Sequence, residues 1–210
     1  MRIAILIYNN YTALDLIGPY EVLSRIPNSE IYITAIKQGL YSDGKSLNIE
    51  AKYALKDITN PDIIVIPGGF GIDALLNNRE IISWVQNAHK TSKWTTSVCS
   101  GALLLAAAGI LKNCNATTHW NRKEQLKEYG VTIVDERYVK DGKIITSAGV
   151  SAGIDMALYL VSLLVNERMA QLIQLSMEYD PKPPFDSGSP EKAPKEIVEA
   201  ILKSMNSIKK

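Results

Sequence analysis

Five short apolar bursts, continuous rather than alternating and rich in β-branched residues, constrain this chain most: RIAILIY (2–8), EIYITAI (30–36), DIIVIPGG (62–69), KWTTSV (93–98) and KIITSAG (143–149). A strand that is apolar along its whole length is buried on both faces, which is the pattern of a parallel sheet covered by helices. Helical spacing fills the intervals, over 16–25, 79–90, 101–108, 122–129, 151–165 and 167–179. The expected fold is therefore α/β: a three-layer sandwich with a mostly parallel central sheet, helices on both faces, and a sharp nucleophile elbow at the carboxyl end of a central strand. Two stretches, SLNIEAKYAL (46–55) and VTIVDERYVKDGKII (131–145), predict hairpin additions, the second turning at Asp141-Gly142.

The pattern changes at DPKPPFDSGSPEKAP (180–194), whose Pro and Gly content excludes a regular element. Helical spacing resumes over 195–208 with Ile197, Ile201 and Met205. We expect one α/β domain over 1–179, followed over 180–210 by a Pro-rich arm and a helix that packs on the same domain. The arm reads as a surface segment or as one that reaches over a partner subunit.

Charge narrows the partners. The 23 basic and 22 acidic residues are interspersed and leave a net charge of +1, so no footprint for nucleic acid or an anionic membrane stands out. A small-molecule substrate is expected instead. Two cysteines, Cys99 and Cys114, make no disulfide framework and join no zinc-spaced cluster, which suits a reducing compartment and predicts no metal. The apolar run at 3–8 is too short for a signal sequence, and the longest apolar stretch, 156–165, falls far below the roughly 20 residues that span a bilayer. A soluble, cytoplasmic protein is expected.

In open α/β sheets ligands bind beyond the carboxyl ends of the strands, so residues just past each burst matter most. Cys99 sits where a strand turns at once into a helix, with the small residues Ser100, Gly101 and Ala102 after it. Only small neighbours fit a turn that sharp, which is the physics of a nucleophile elbow. The helix N-terminus is expected to favour the thiolate, and position favours chemistry over a packed, inert cysteine. Cys114, in a helix-to-strand connection, reads as packing.

PGGFG (67–71) lets the backbone approach a substrate closely. The N–H groups of Gly69 and Ser100 are candidate oxyanion donors, and Gly68, Phe70, His119 and Trp120 are candidate pocket residues. Pro19 belongs to a helix's first turn, so the helix is expected to start near Gly18 and leave Asp15 at its mouth. Between Leu14 and Leu16, that carboxylate is either an ordinary helix-start aspartate or a partly desolvated group that exchanges a proton with a thiol or substrate. His119 reads as a base or as a hydrogen-bonded wall residue. His89 reads as a solvated helix end.

These residues resemble the ThiJ/PfpI superfamily, within the class I glutamine amidotransferase-like fold, and most of all its isonitrile hydratase branch. The resemblance is carried by LDLIGPYEVLSR (14–25), DIIVIPGGFG (62–71), SVCSGALLLAAAGIL (97–111), ATTHW (116–120), TSAGVSAGIDMAL (146–158) and YDPKPPFDSGSP (179–190). It implies Cys99 as nucleophile, Asp15 as essential carboxylate and Ser100 as the hydroxyl residue after the cysteine, where the familiar hydratase has threonine. It further implies hydration of an isonitrile to a formamide through a thioimidate, no cofactor, and a homodimer.

Rivals fit less well. An amidotransferase needs a histidine late in the chain, and none follows His119. A PfpI-type peptidase has histidine where Ser100 stands. A glyoxalase or deglycase uses a glutamate where Asp15 is the matching carboxylate, and no DNA-binding module of a regulator is expected. A redox- or stress-sensing dimer with an oxidisable Cys99 is the non-enzymatic alternative.

Overall fold

The computed structural model describes residues 1–208, and the side chains of 1–205. Its residues fall into two compact units, Met1–Met177 and Glu178–Lys210. The first unit is built on a seven-stranded sheet. All five apolar bursts become strands of it: β1 (Arg2–Leu6), β2 (Glu30–Ala35), β6 (Ile63–Ile66), β7 (Trp94–Val98) and β11 (Ile144–Ser147). These five pair only in parallel with one another, as continuous burial on both faces requires. Two further strands close the edges, β5 (Tyr53–Ala54) parallel to β2 and β10 (Tyr138–Asp141) antiparallel to β11.

The strand order is β10-β11-β7-β6-β1-β2-β5. The chain runs outward from β1 through β2 to β5, then returns to β6 on the other side of β1 and proceeds toward β11. The reversal lies between β1 and β6, and the crevice beyond their carboxyl ends is where such a sheet binds ligands. Helices α1 (Ala13–Leu23), α5 (Ala152–Leu164) and α6 (Glu167–Ser176) pack together as one layer, and α2 (Arg79–Thr91), α3 (Gly101–Ala107) and α4 (Lys123–Lys127) form the other. The core between them is aliphatic, with Ile3, Ile5, Ile63, Val65, Leu103, Leu104, Met156 and Leu160 fully buried.

Several expectations change. Helix α1 begins at Ala13, not near Gly18, and carries Pro19 inside it. The cost of the missing N–H is offset by burial of Leu16, Val22 and Leu23 on the core side, and Asp15 thereby lies within the first turn instead of ahead of it. The 46–55 stretch is not a hairpin by itself. Its first half, β4 (Asn48–Ala51), pairs antiparallel with β3 (Gly39–Ser42), and its end supplies β5. In the 131–145 stretch the Asp141-Gly142 turn joins β10 to β11, whereas β9 (Thr132–Ile133) pairs in parallel with β8 (Asn115–Ala116). The 122–129 helix shortens to α4 behind a 3-10 turn, Trp120–Arg122.

His89 is not a solvated end. Its Nδ1 bonds Thr95 Oγ1 at 2.8 Å, and the Lys143 ammonium caps the end of α2 at the carbonyls of His89 and Ser92. In the second unit, residues 178–194 form bends and turns, with Lys192 bonded to Asp186 at 2.9 Å, and α7 (Lys195–Ile208) follows with Ile197, Ile201 and Leu202 exposed. Among the described residues no helix is long and apolar enough to cross a membrane.

One glycine sets how closely the layers meet. A Cβ on Gly101 would stand 2.0 Å from the Ile66 carbonyl oxygen and 3.0 Å from that of Pro67, so the first turn of α3 touches the end of β6 through bare backbone. Gly101→Ala is expected to destabilise the protein by about 2–3 kcal/mol or more, the scale of core overpacking. Gly101→Ala and Ala106→Gly, the latter a change inside the same helix without a clash, compared by urea unfolding, separate this effect from helix propensity, which is worth about 1 kcal/mol.

Candidate active site

Asp15, Cys99, Gly68, Gly69 and Ser100 converge at the crevice. Cys99 has φ of 56°, a left-handed backbone that costs a non-glycine residue about 1–3 kcal/mol. The surroundings hold it there: its N–H is shared between the carbonyls of Ser147 (3.1 Å) and Ala148 (3.0 Å), and its own carbonyl accepts from Thr118 Oγ1 at 2.7 Å. This is the elbow expected from the sequence, and both polar ends of its backbone are fastened. The side chain is buried, and the N–H groups of Ser100 and Val150 point at the sulfur.

Asp15 is fully buried. Its Oδ2 accepts the Gly68 N–H at 2.9 Å, and the Cys99 thiol acts on the same carboxyl. Its other oxygen, Oδ1, is buried without a hydrogen-bond partner. Burial raises the Asp15 carboxyl from 3.8 to about 7, against the smaller opposing pull of the Gly68 N–H and the thiol.

The thiol does not follow the sequence expectation. Burial first, and then the Asp15 charge, push it well above its ordinary value, and the Ser100 and Val150 N–H groups only partly oppose them. The expected helix N-terminus is a seven-residue helix, too little to outweigh desolvation. In the resting site burial and the neighbouring Asp15 charge therefore favour the protonated sulfur.

The oxyanion expectation is also corrected in part. The Gly69 N–H is already occupied, donating to Ser100 Oγ at 3.0 Å, while Ser100 Oγ donates weakly back to the Gly69 carbonyl at 3.4 Å. Ser100 uses its hydroxyl to clasp the turn. A Cβ on Gly68 would lie 2.6 Å from Ser100 N, which shows how tightly this turn sits on the elbow. The donors that face the sulfur are Ser100 and Val150. Sequence reasoning missed Val150 although it follows β11, the strand beside the elbow, and the rule that picked out Asp15 and Gly68 applies to it equally.

His119 and Trp120 lie at the end of the same crevice, their rings 5.6 Å apart and tilted by 33°. A Cβ on Gly149 would stand 2.9 Å from His119 Cδ2, so the imidazole rests on the backbone just ahead of Val150. His119 Nδ1 bonds Asn121 Oδ1, and burial lowers its pKa, with the Arg122 charge adding to this and Asn121 opposing it. Its bonded side-chain partner is Asn121, not the thiol or Asp15. Phe70, at the start of the turn Phe70–Leu75, is 56% exposed. Cys114 bonds backbone carbonyls in its own loop.

Arg122, nearly buried, makes a two-pronged bond to Asp73, at 2.7 and 3.2 Å. This ties the turn after β6 to the one after β8. Tyr8 and Arg122 are supporting residues that sequence reasoning did not single out, and Thr118, although within ATTHW, was given no role there.

The sequence profile of the DJ-1/PfpI family matches residues 1–163. The chain belongs to this family. Among DJ-1/PfpI proteins it is 36% identical over 203 residues to isonitrile hydratase of Pseudomonas putida, covering 97% of this chain and 89% of that one. It is 32% identical over 165 residues to a glutathione-independent glyoxalase of Caenorhabditis elegans, covering 73% and 88%. A crystal structure of a ThiJ/PfpI family protein from Pseudomonas syringae superposes with a TM-score of 0.94 at 34% identity, over 98% of this chain and 86% of that one.

A carboxyl raised to about 7 holds its proton in the folded protein at pH values where the unfolded chain, near 3.9, has released it. The native state therefore binds more protons between pH 4 and 7, and stability falls as pH rises through that window, by on the order of 4 kcal/mol. Asp15→Asn is expected to remove this slope, so that the variant gains on the wild type from pH 5 to pH 8 in urea unfolding. The same change lifts the repulsion that holds the thiol protonated, and Cys99 alkylation by iodoacetamide at pH 8 is expected to quicken several-fold.

Proposed function

We propose that this protein is a cysteine-dependent hydratase that adds water to an isonitrile and releases the N-substituted formamide. The observation that carries this reading is the buried Asp15 carboxyl, titrating about 7, set against the protonated Cys99 thiol. A group poised near neutrality takes and returns a proton with little bias, as general acid–base work requires. The likeness to isonitrile hydratase over nearly the whole chain supports the same reading.

Asp15 takes the thiol proton as the sulfur attacks the terminal carbon of R–N≡C. The new C–S bond places a pair of electrons on that carbon, and Asp15 returns the proton to it, giving the thioimidate R–N=CH–S-Cys99. Water adds to the carbon, its oxygen forming the C–O bond and one of its protons reaching nitrogen. The tetrahedral adduct R–NH–CH(OH)–S-Cys99 then expels sulfur, which regains a proton from the hydroxyl, and R–NH–CHO leaves. Ser100 and Val150 N–H groups hold the sulfur as charge develops and disperses on it. Burial of the pair keeps bulk water away until the adduct forms. The substrate is a small molecule, and we place the protein as a cytoplasmic homodimer, with Leu172 and Leu175 exposed on α6 as the apolar surface that favours association.

With cyclohexyl isocyanide, formamide release followed by mass spectrometry is expected for the wild type, with Cys99→Ala and Asp15→Asn each losing at least about a thousandfold. No formamide from a wild-type protein whose Cys99 still alkylates would overturn the hydratase reading. Turnover of methylglyoxal in its place would move it to the glyoxalase-like alternative.

A further inference from the structure

Two consecutive peptide units of the 67–69 turn are hydrogen-bonded at both ends. Tyr8 Oη donates to the Pro67 carbonyl at 2.9 Å, and the Gly68 N–H of that same peptide donates to Asp15 Oδ2 at 2.9 Å. In the next unit, Thr12 N–H donates to the Gly68 carbonyl at 2.9 Å and the Gly69 N–H donates to Ser100 Oγ at 3.0 Å. An amide that accepts at oxygen becomes a better donor at nitrogen, so such chains strengthen bond by bond. The first unit therefore wires a phenol to the carboxyl that the proposed reaction uses.

Tyr8 is buried, with 4% of its surface exposed, and the reaction scheme gives it nothing to do. Packing alone would be served as well by phenylalanine, without desolvating a hydroxyl. Its phenol feels burial first and then the charges of Asp15, Cys99 and Asp73, all of which hold it protonated and so a permanent donor. The titratable groups around the pair are Cys99 from the elbow, acting on both, and Asp73 from the turn after β6, acting on Tyr8.

We propose that Tyr8 is a positioning residue for Asp15: by holding the Pro67 carbonyl it orients the Pro67–Gly68 peptide and strengthens the Gly68 N–H bond to the carboxyl, which sets the pH at which Asp15 exchanges its proton. Asp15 as the proton carrier rests on the function proposed above, but the titration of its carboxyl needs no substrate.

The test is a carboxyl carbon-13 NMR titration of the full chain with labelled aspartate, the Asp15 signal being assigned by its loss in Asp15→Asn. Tyr8→Phe removes the donor and keeps the ring. The Asp15 midpoint is expected to move to higher pH by about half a pH unit or more, because the carboxylate loses support. Trp84→Phe, which cuts another buried bond to a loop carbonyl (Trp84 Nε1 to Ile58, 2.8 Å), is expected to lower Tm and leave the midpoint in place. A Tyr8→Phe midpoint within about 0.1 pH unit of the wild type overturns the proposal. Should Tyr8→Phe not fold, 3-fluorotyrosine at position 8, a stronger donor of nearly the same shape, decides it: a lower midpoint supports the wiring, and an unmoved one overturns it. Absence of formamide with the midpoint shifted as expected would refute the hydratase reading and leave this one standing.

Discussion

The near-contact between the end of β6 and the first turn of α3 is the constraint on which the crevice depends. Backbone meets backbone there, Gly101 against the Ile66 carbonyl, and this brings the 67–69 turn onto Ser100. With the turn seated, its two N–H groups divide their duties, one to Asp15 and one to the Ser100 hydroxyl. The strained backbone of Cys99 then has nowhere to relax, because Ser147, Ala148 and Thr118 fasten it from the neighbouring strand and loop. Close packing at one point thus becomes fixed chemistry at another, through hydrogen bonds and not through side-chain bulk.

Electrostatics follow from that geometry. The chain as a whole is close to neutral, yet its crevice buries a carboxyl and a thiol against each other with no cation between them. Desolvation disfavours both charged forms, so the pair shares one proton too many for two ordinary ionised groups. The arrangement differs from a cysteine beside an imidazolium: here a buried carboxyl faces the thiol, and both burial and that carboxyl favour the protonated sulfur.

Much of this was legible in the residues themselves. The five continuous apolar bursts gave the parallel strands, because burial on both faces leaves no polar alternation to read. The family resemblance brought Asp15 and Cys99 together, which periodicity could not, since contact across the β1–β6 reversal is a property of strand order. Pro19 misled: a proline inside a short helix is tolerated when the helix is held by its buried face, and the start of α1 lay upstream of where the local rule put it. The thiol was misread for a related reason, in that helix-end charge can be inferred from a sequence but depth of burial at one atom cannot. Tyr8, Thr118 and Val150 lie within the apolar and family-like stretches, yet no pattern gave them a role; they are distinguished only by what they face, the Pro67 carbonyl, the Cys99 carbonyl and the Cys99 sulfur.

The margins of the sheet have a consequence of their own. One border strand, β5, is two residues long, and the other, β10, ends in Lys140 and Asp141, with the Asp141 carboxylate accepting the Asn115 N–H at 2.8 Å. Brief, charged borders offer a poor template for strand addition by another chain. Growth of the sheet from molecule to molecule is thereby discouraged, and the route to aggregation that a long parallel sheet invites is closed at both margins.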